Sequence, residues 1–345
     1  MKKRFTLLLV ILIVTLITAM LFSIAVGSVK IPIGDTINYI KSWINNIFSS
    51  SEDFLLESES FIIINLRMPR VLMAIIVGAI LSIAGLMYQA IFKNPMAEPY
   101  CLGISSGAAL GATIGIVFLN AMNISSISIV SLCAFIGSII TSFLVYKLAG
   151  NNKKLNTTYL LLAGIVMSSI FSAIMSIIML FNKDDLARVY LWTMGSFRAV
   201  SWNQVLLVTP IFIIGLIILA NYYKELNAIS MGDKEALSLG IDVNKVNKIL
   251  IVLSSILISV AVSNNGIIGF VGLIVPHFLR IIIGPNHKYL IPLSIVCGAL
   301  FMLVSDTIAR TIITNVDLPV GVITALFGGP FFLALLIKEK RKSER

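Results

Sequence analysis

The chain has 345 residues, of which 58% are hydrophobic and only 12% charged, and it carries a formal net charge of +10. Soluble domains hold about 25% charged residues, so a water-soluble fold that hides this much apolar surface is excluded. Lipid is the solvent for most of the chain.

The first predicted element begins after Lys2-Lys3-Arg4, where Phe5 to Val29 contain no charge. About 20 apolar residues cross the hydrocarbon. A basic start before an apolar run also fits a secretory signal, and Ala25-Val26-Gly27 offers a weak cleavage site. The run exceeds the usual signal core and further spans follow, so 5–28 is read as a retained first span. The outer segment 30–60 carries Glu52, Asp53, Glu57 and Glu59 among serines, which predicts a solvated loop with room for a short interfacial helix. Spans are then expected over 62–92, 102–120, 126–147, 156–181 and 202–221. The uncharged run Pro99–Tyr146 holds two of these, with a turn around Asn120–Ser128. Segment 222–248 is the second long extramembrane stretch. Within it Ser230 to Gly240 reads as one short helix ended by Gly240, because glycine takes the left-handed cap readily. Four more spans, 246–263, 267–284, 289–313 and 319–337, complete an all-α polytopic membrane protein of about ten helices in a single domain, 1–345.

An even span count puts both termini on one side. That side collects Lys2, Lys3, Arg4, Lys93, Lys147, Lys153, Lys154, Lys224, Lys234, Lys245, Lys248, Arg280, Lys288, Lys338, Lys340, Arg341, Lys342 and Arg345, out of 26 basic residues. Lys30, Lys41, Arg67, Arg70, Lys183, Arg188, Arg198 and Arg310 fall on the other. The positive-inside rule makes the richer side cytoplasmic. The net charge is thus a topology signal in a cell-membrane protein rather than a nucleic-acid footprint.

Gly103, Gly107, Gly111 and Gly115 form a small-residue ridge that lets another helix approach closely in lipid. Breaks are expected at Asn94-Pro95 and Glu98-Pro99, at Asn264-Asn265-Gly266 with Gly269, Gly272 and Pro276, and at Gly328-Gly329-Pro330 inside the last span. Irregular backbone at membrane depth persists only where protein or a water-filled cavity satisfies it, which favours a transporter over a scaffold. Asp306 and Arg310 stand one helical turn apart and predict an intrahelical ion pair; a proton relay is the rival reading. Cys101, Cys133 and Cys297 lie in apolar segments with no CxxC pair, which reads as small buried hydrophobes. His277 and His287 lack carboxylates or cysteines at ligand spacing, so no metal site is expected. No nucleophile–base–acid constellation appears, and neither catalytic residues nor a cofactor are predicted.

Several blocks resemble the FecCD family, the permeases of iron-siderophore, haem and cobalamin ABC importers. They are Leu66-Arg67-Met68-Pro69-Arg70, then Val77-Gly78-Ala79, Gly85, Gln89-Ala90, Asn94-Pro95-Met96-Ala97-Glu98-Pro99 and Leu102 to Ala108. Gly266 to His277 with Arg280, Ser305 to Arg310, Leu318 to Ala325 and Gly328-Gly329-Pro330 extend the likeness over about residues 5–338.

The resemblance implies a ten-helix permease paired with a second, identical or homologous, permease subunit around a central path. It also implies a cytosolic ABC ATPase dimer below and an extracytoplasmic substrate-binding protein above. The sequence holds no GxxxxGK[ST] phosphate loop, so ATP hydrolysis is expected on another chain. By resemblance Arg67, Arg70 and Arg310 dock the glutamates of the binding protein, as a guanidinium fork suits a carboxylate; anchoring of helix ends at the headgroups is the alternative. Segment 222–248 is expected to carry two short coupling helices, with Gly232, Glu235, Ala236, Leu239 and Gly240 gripping the ATPase. Asn94, Met96, Thr157 and Thr158 are cytoplasmic gate candidates, which ordinary helix capping would equally explain. The cargo expected first is a ferric siderophore, then haem, then cobalamin. An ion-coupled secondary transporter is the rival class, although the chain offers it little beyond Asp306.

Overall fold

A computed structural model describes residues 2–343 except 28, 30, 50–57, 125, 152–153 and 314–315, with backbone only at 46–49, 151, 154–155, 335–336 and 338–343. Lys30, Glu52, Asp53, Glu57, Lys153 and Arg345, used in the charge count and the outer loop, lie outside the described residues. In chain order the helices are α1 Lys2–Ala25, α2 Ile33–Ser49, α3 Ser58–Phe61, α4 Met68–Ile91, α5 Ile104–Ala121, α6 Ile127–Ala149, α7 Thr157–Phe181, α8 Leu186–Thr193 and α9 Trp202–Asn221. They continue with α10 Tyr223–Met231, α11 Asp233–Ser238, α12 Val243–Asn265, α13 Val271–Ile283, α14 His287–Thr311 and α15 Val320–Ser343. A two-residue antiparallel pairing, Gly150–Asn151 with Lys154–Leu155, closes the turn between α6 and α7. The protein is all-α and polytopic.

All ten predicted spans are helical. Eight helices, with α3 and α4 taken as one rod from Ser58 to Ile91, are long and apolar enough to cross a membrane. The apolar parts of the other two, Val271–Ile283 and Val320–Ala334, are shorter. The rod contains a π-helical turn at Ile62–Arg67. Pro69 explains it locally: proline has no N–H to return to the carbonyl four residues back, so the turn before it widens.

The core is built on α4, of which 89% of the apolar window is buried, whereas α7 is only 6% buried. α4 crosses α14 and α13 at glycines. A Cβ on Gly78 would strike the Gly298 carbonyl, and one on Gly85 would strike the backbone of Gly272. Backbones meet there without side chains between them, as tight packing in lipid requires. The α5 ridge packs on α6 in the same way, Gly107 on Thr141 and Gly137, and Gly111 on Cys133.

Two of the expected breaks are real and satisfy one another. After α4 ends, the chain turns back, and Pro99 lies against Gly272 beside Leu81. Leu81 is ten residues, about 15 Å, up α4 from its end, so 94–102 re-enters the bundle. Glu98 Oε1 accepts from the Phe270 N–H at 2.9 Å, and Tyr100 donates to the Ile268 carbonyl at 2.8 Å while receiving the Ile268 N–H at 3.2 Å. These contacts replace the helical bonds that the unwound stretch between α12 and α13 lacks.

The other expected breaks do not occur. Gly272 and Pro276 lie inside α13, and α15 runs through Gly328, Gly329 and Pro330 as one helix. One proline removes a single hydrogen bond, and Gly328 is seated against the Phe270 ring, so packing holds the helix through the defect.

Candidate functional sites

Two groups of residues gather at opposite ends of the α4–α14 pair. The first is a buried charge cluster where α4 begins and α14 ends. α1 stops at Ala25 and leaves its last carbonyls without helical partners. Arg67 supplies them: Nη1 donates to the Ile24 and Ala25 carbonyls, each at 2.7 Å, and Nη2 to that of Val29. Arg310 Nη2 donates to the Ser23 carbonyl and, at 2.7 Å, to Ser23 Oγ. Two guanidinium groups therefore cap the negative end of one helix dipole.

Arg70 faces the other way and binds carboxylates. Its Nε and Nη2 grip Asp306 at 2.9–3.1 Å, a forked pairing, and its Nη1 reaches Asp317 Oδ2 at 2.9 Å. Asp306 is fully buried, while the Asp317 side chain keeps 23% of its exposure. The predicted intrahelical pair is present, but it is the longer of the carboxylate's two contacts with arginine among the described residues. Arg310 Nε stands 3.8 Å from Asp306, and the carboxylate is held chiefly by Arg70 across the helix interface. Bidentate geometry favours that partner over a single long contact. The structure thus brings Arg67, Arg70 and Arg310 together, but folded inward, with Arg67 and Arg310 both under 10% exposed. Ser23 and Asp317 complete the cluster. Sequence gave no signal for Ser23, and Asp317 was detectable only as an acidic residue beside the Leu318-Pro319 block.

The second group is the knuckle formed by α10 and α11. The helix expected over 230–240 is divided at Gly232, whose φ of +150° favours glycine; a Cβ there would strike the Glu235 carboxylate. Gly240 adopts φ +78° just after α11, in the left-handed region. Ala236 is buried in the core and pins the knuckle to the body, while its N–H closes the first turn of α11 on the Gly232 carbonyl at 3.0 Å. Lys93, just past α4, pairs with Asp233 at 2.8 Å. Asn227 Oδ1 accepts the His287 N–H at 2.7 Å, at the first residue of α14. Both helices of the central pair are thereby fastened to the knuckle. Its outward side presents Met231, Leu237 and Leu239, 60–76% exposed beside Lys234 and Glu235.

Of the gate candidates, Asn94 closes a tight turn by accepting the Met96 N–H at 2.9 Å. Thr157 and Thr158 form the first turn of α7, where Asn156 caps the Thr158 N–H at 2.9 Å. No hydrogen bond joins the two pairs among the described residues.

A helical body with eight helices long and apolar enough to cross a membrane, unwound segments inside the bundle and polar clusters at both ends defines a polytopic membrane protein. The FecCD transport family matches residues 12–338, and the chain belongs to that family. It is 38% identical to the cobalamin import system permease protein BtuC of Halobacterium salinarum over 81% of this chain and 74% of that one. It is 37% identical to the hemin transport system permease protein HmuU of Yersinia pestis over 81% and 84%. A solved inward-facing structure of a metal-chelate type ABC transporter superposes with a TM-score of 0.81 at 30% identity, covering 96% of this chain and 98% of that one. The chain is a multi-pass protein of the cytoplasmic membrane.

Proposed function

We propose that this chain is the permease subunit of an ATP-driven importer that carries an iron chelate, first of all a ferric siderophore, across the cytoplasmic membrane, with the whole of 1–345 acting as one permease domain. Family membership and the kinship with haem and cobalamin permeases support the class. Haem is itself an iron chelate, and the similar solved transporter is of metal-chelate type. The face bearing Lys2 and the α10–α11 knuckle is cytoplasmic by the positive-inside rule, and the Arg67 face is extracytoplasmic. ATP is hydrolysed on a separate ATPase dimer, and a second permease subunit covers the exposed side of α7.

The observation that carries this reading is the apolar tip of the knuckle. Met231, Leu237 and Leu239 project from a charged segment that faces water, where exposed apolar clusters mark partner surfaces. The Lys93–Asp233 and Asn227–His287 contacts fasten that tip to α4 and α14, whose far ends hold the charge cluster. A push on the knuckle thus reaches the extracytoplasmic rim along two helices packed backbone to backbone. Replacing Leu237 and Leu239 with aspartate is expected to abolish co-purification of the ATPase from native membranes while the permease remains folded. Undiminished co-purification would remove the coupling role from 222–248. Asn94, Met96, Thr157 and Thr158 are proposed to narrow the cytoplasmic end of the path.

Docking of the binding protein at Arg67, Arg70 and Arg310 remains the proposed role of the rim. Arg70 is the member an incoming carboxylate can address, since its Nη1 is held by the partly exposed Asp317. Reversing Arg67 or Arg310 would put a carboxylate among the carbonyls of α1, so the informative variant is Asp317→Asn. Freeing Nη1 is expected to tighten docking by up to about fivefold, the scale of one exposed ion pair, measured as binding-protein affinity for the detergent-purified complex. An unchanged affinity would argue that Arg70 does not meet the docking partner.

A further inference from the structure

On the Arg67 face, a groove of about 760 Å³ opens between the start of α6, the start of α9 and the end of α12. A second cavity of about 400 Å³ continues it toward α8, sharing Ile127, Ser131, Ala199 and Asn264 with the first. We propose that this continuous groove binds a membrane phospholipid with an anionic headgroup, drawn from the leaflet on that side.

The lining changes with depth in the way an amphiphile does. Near the face, Ser131, Asn203, Gln204 and Asn264 present hydroxyls and amides; deeper along the same helices come Phe135, Leu207 and Ile211. Asn203 to Ile211 spans eight residues, about 12 Å along the helix axis. At the mouth stand Arg188 and Arg198. The carboxylates nearby are engaged elsewhere or at long range. Asp317, which itself lines the second cavity, is neutralised by Arg70 at 2.9 Å, and Asp185 accepts from Asn120 Nδ2 at 3.1 Å and lies 3.8 Å from Arg188. Arg198 has no ion pair among the described residues and is exposed, so the mouth is cationic.

The level is that of the lipid headgroups. All three tryptophans of the chain, Trp43, Trp192 and Trp202, lie at this end, Trp43 and Trp202 stacked with centroids 5.3 Å apart and Trp192 lining the groove. Tryptophan concentrates at membrane–water interfaces. Leu132 and Leu207 on the groove's flanks are more than half exposed, so it opens sideways into lipid rather than into the protein. Phosphate at Arg198, glycerol at the amides and one acyl chain along Phe135, Leu207 and Ile211 would follow the polar-to-apolar order of this lining.

The tryptophans also supply the readout. The full chain is reconstituted in bilayers containing phosphatidylglycerol or phosphatidylcholine brominated on the acyl chains, which quench tryptophan on contact. Brominated phosphatidylglycerol is expected to quench half-maximally at about fivefold lower mole fraction than brominated phosphatidylcholine, the preference one basic residue confers. Arg198→Glu is expected to bring that ratio to about one. Native mass spectrometry of the purified wild type should show one retained phosphatidylglycerol per chain, reduced in the variant. Equal quenching by both lipids in the wild type would overturn the proposal, as would a preference untouched by Arg198→Glu. So would competition by millimolar inorganic phosphate that abolishes the preference, which would assign the cations to a free anion. An Arg198→Glu variant that changes oligomeric state but keeps its lipid would overturn it in favour of a protein partner.

Discussion

Asp306→Ala is expected to destabilise the protein by about 3–5 kcal/mol, the cost of removing one member of a buried ion pair. The carboxylate is fully buried, and two guanidinium groups, those of Arg70 and Arg310, lie within 4 Å of it. Without it Arg70 keeps Asp317, and Arg310 loses its one counter-charge within 4 Å among the described residues. The cations cannot neutralise themselves, since arginine stays protonated in proteins, so the cluster must open to water or to lipid headgroups. Asp306→Asn should lose less, because the amide oxygen still accepts from Arg70. Thermal unfolding in mild detergent, followed by loss of the monodisperse peak, measures both. A wild-type melting temperature for the alanine variant would mean that the cluster is already hydrated and that its charges contribute little.

The second large effect is expected at Gly85. A Cβ at this position meets the carbonyl oxygen, carbonyl carbon and Cα of Gly272, all backbone atoms that no rotamer change can move aside. Gly272 is itself wedged between Leu81 and Pro99. Gly85→Ala must therefore separate α4 from α13 and disturb the re-entrant stretch, at a cost of about 3 kcal/mol or more, at the upper end for overpacked cores. Gly34→Ala is the matched control: nothing lies within 4 Å of its added methyl, and a helical alanine gains up to about 1 kcal/mol over glycine. The folded fraction extracted from membranes should collapse for the first and hold for the second. Equal yields would show that α4 and α13 can slide apart freely.

The spans were legible because lipid demands long uncharged runs, and the chain supplies them cleanly. The predicted 202–221 coincides with α9, and 156–181 differs from α7 by one residue. What escaped depends on distant partners. Proline and glycine at 276 and 328–330 signal breaks locally, yet packing carries both helices through. Conversely, the 17-residue α2 is longer than the short interfacial helix expected in the outer loop. The arginines of the rim were recognisable as a motif, but their inward fold was not. Arg70 finds its carboxylates 236 and 247 residues away, and only the α4–α14 crossing brings them within reach. At the knuckle the glycines were legible as punctuation. The family resemblance implied two short helices there, but their division at Gly232 was not legible, since it depends on an extended, positive-φ glycine between α10 and α11.

The brevity of α13 has a consequence for how the chain is made. Thirteen residues span about 20 Å, against about 30 Å of hydrocarbon. Emerging from the ribosome alone, this segment is too short to partition stably into the bilayer, and its unwound leading end has unpaired amides until Glu98 and Tyr100 receive it. α13 is therefore expected to settle in the bilayer only together with α4 and α14, the helices it packs against. Substitutions at Glu98, which receives the Phe270 N–H at the leading end of α13, are thus expected to be felt first as slow maturation in the membrane.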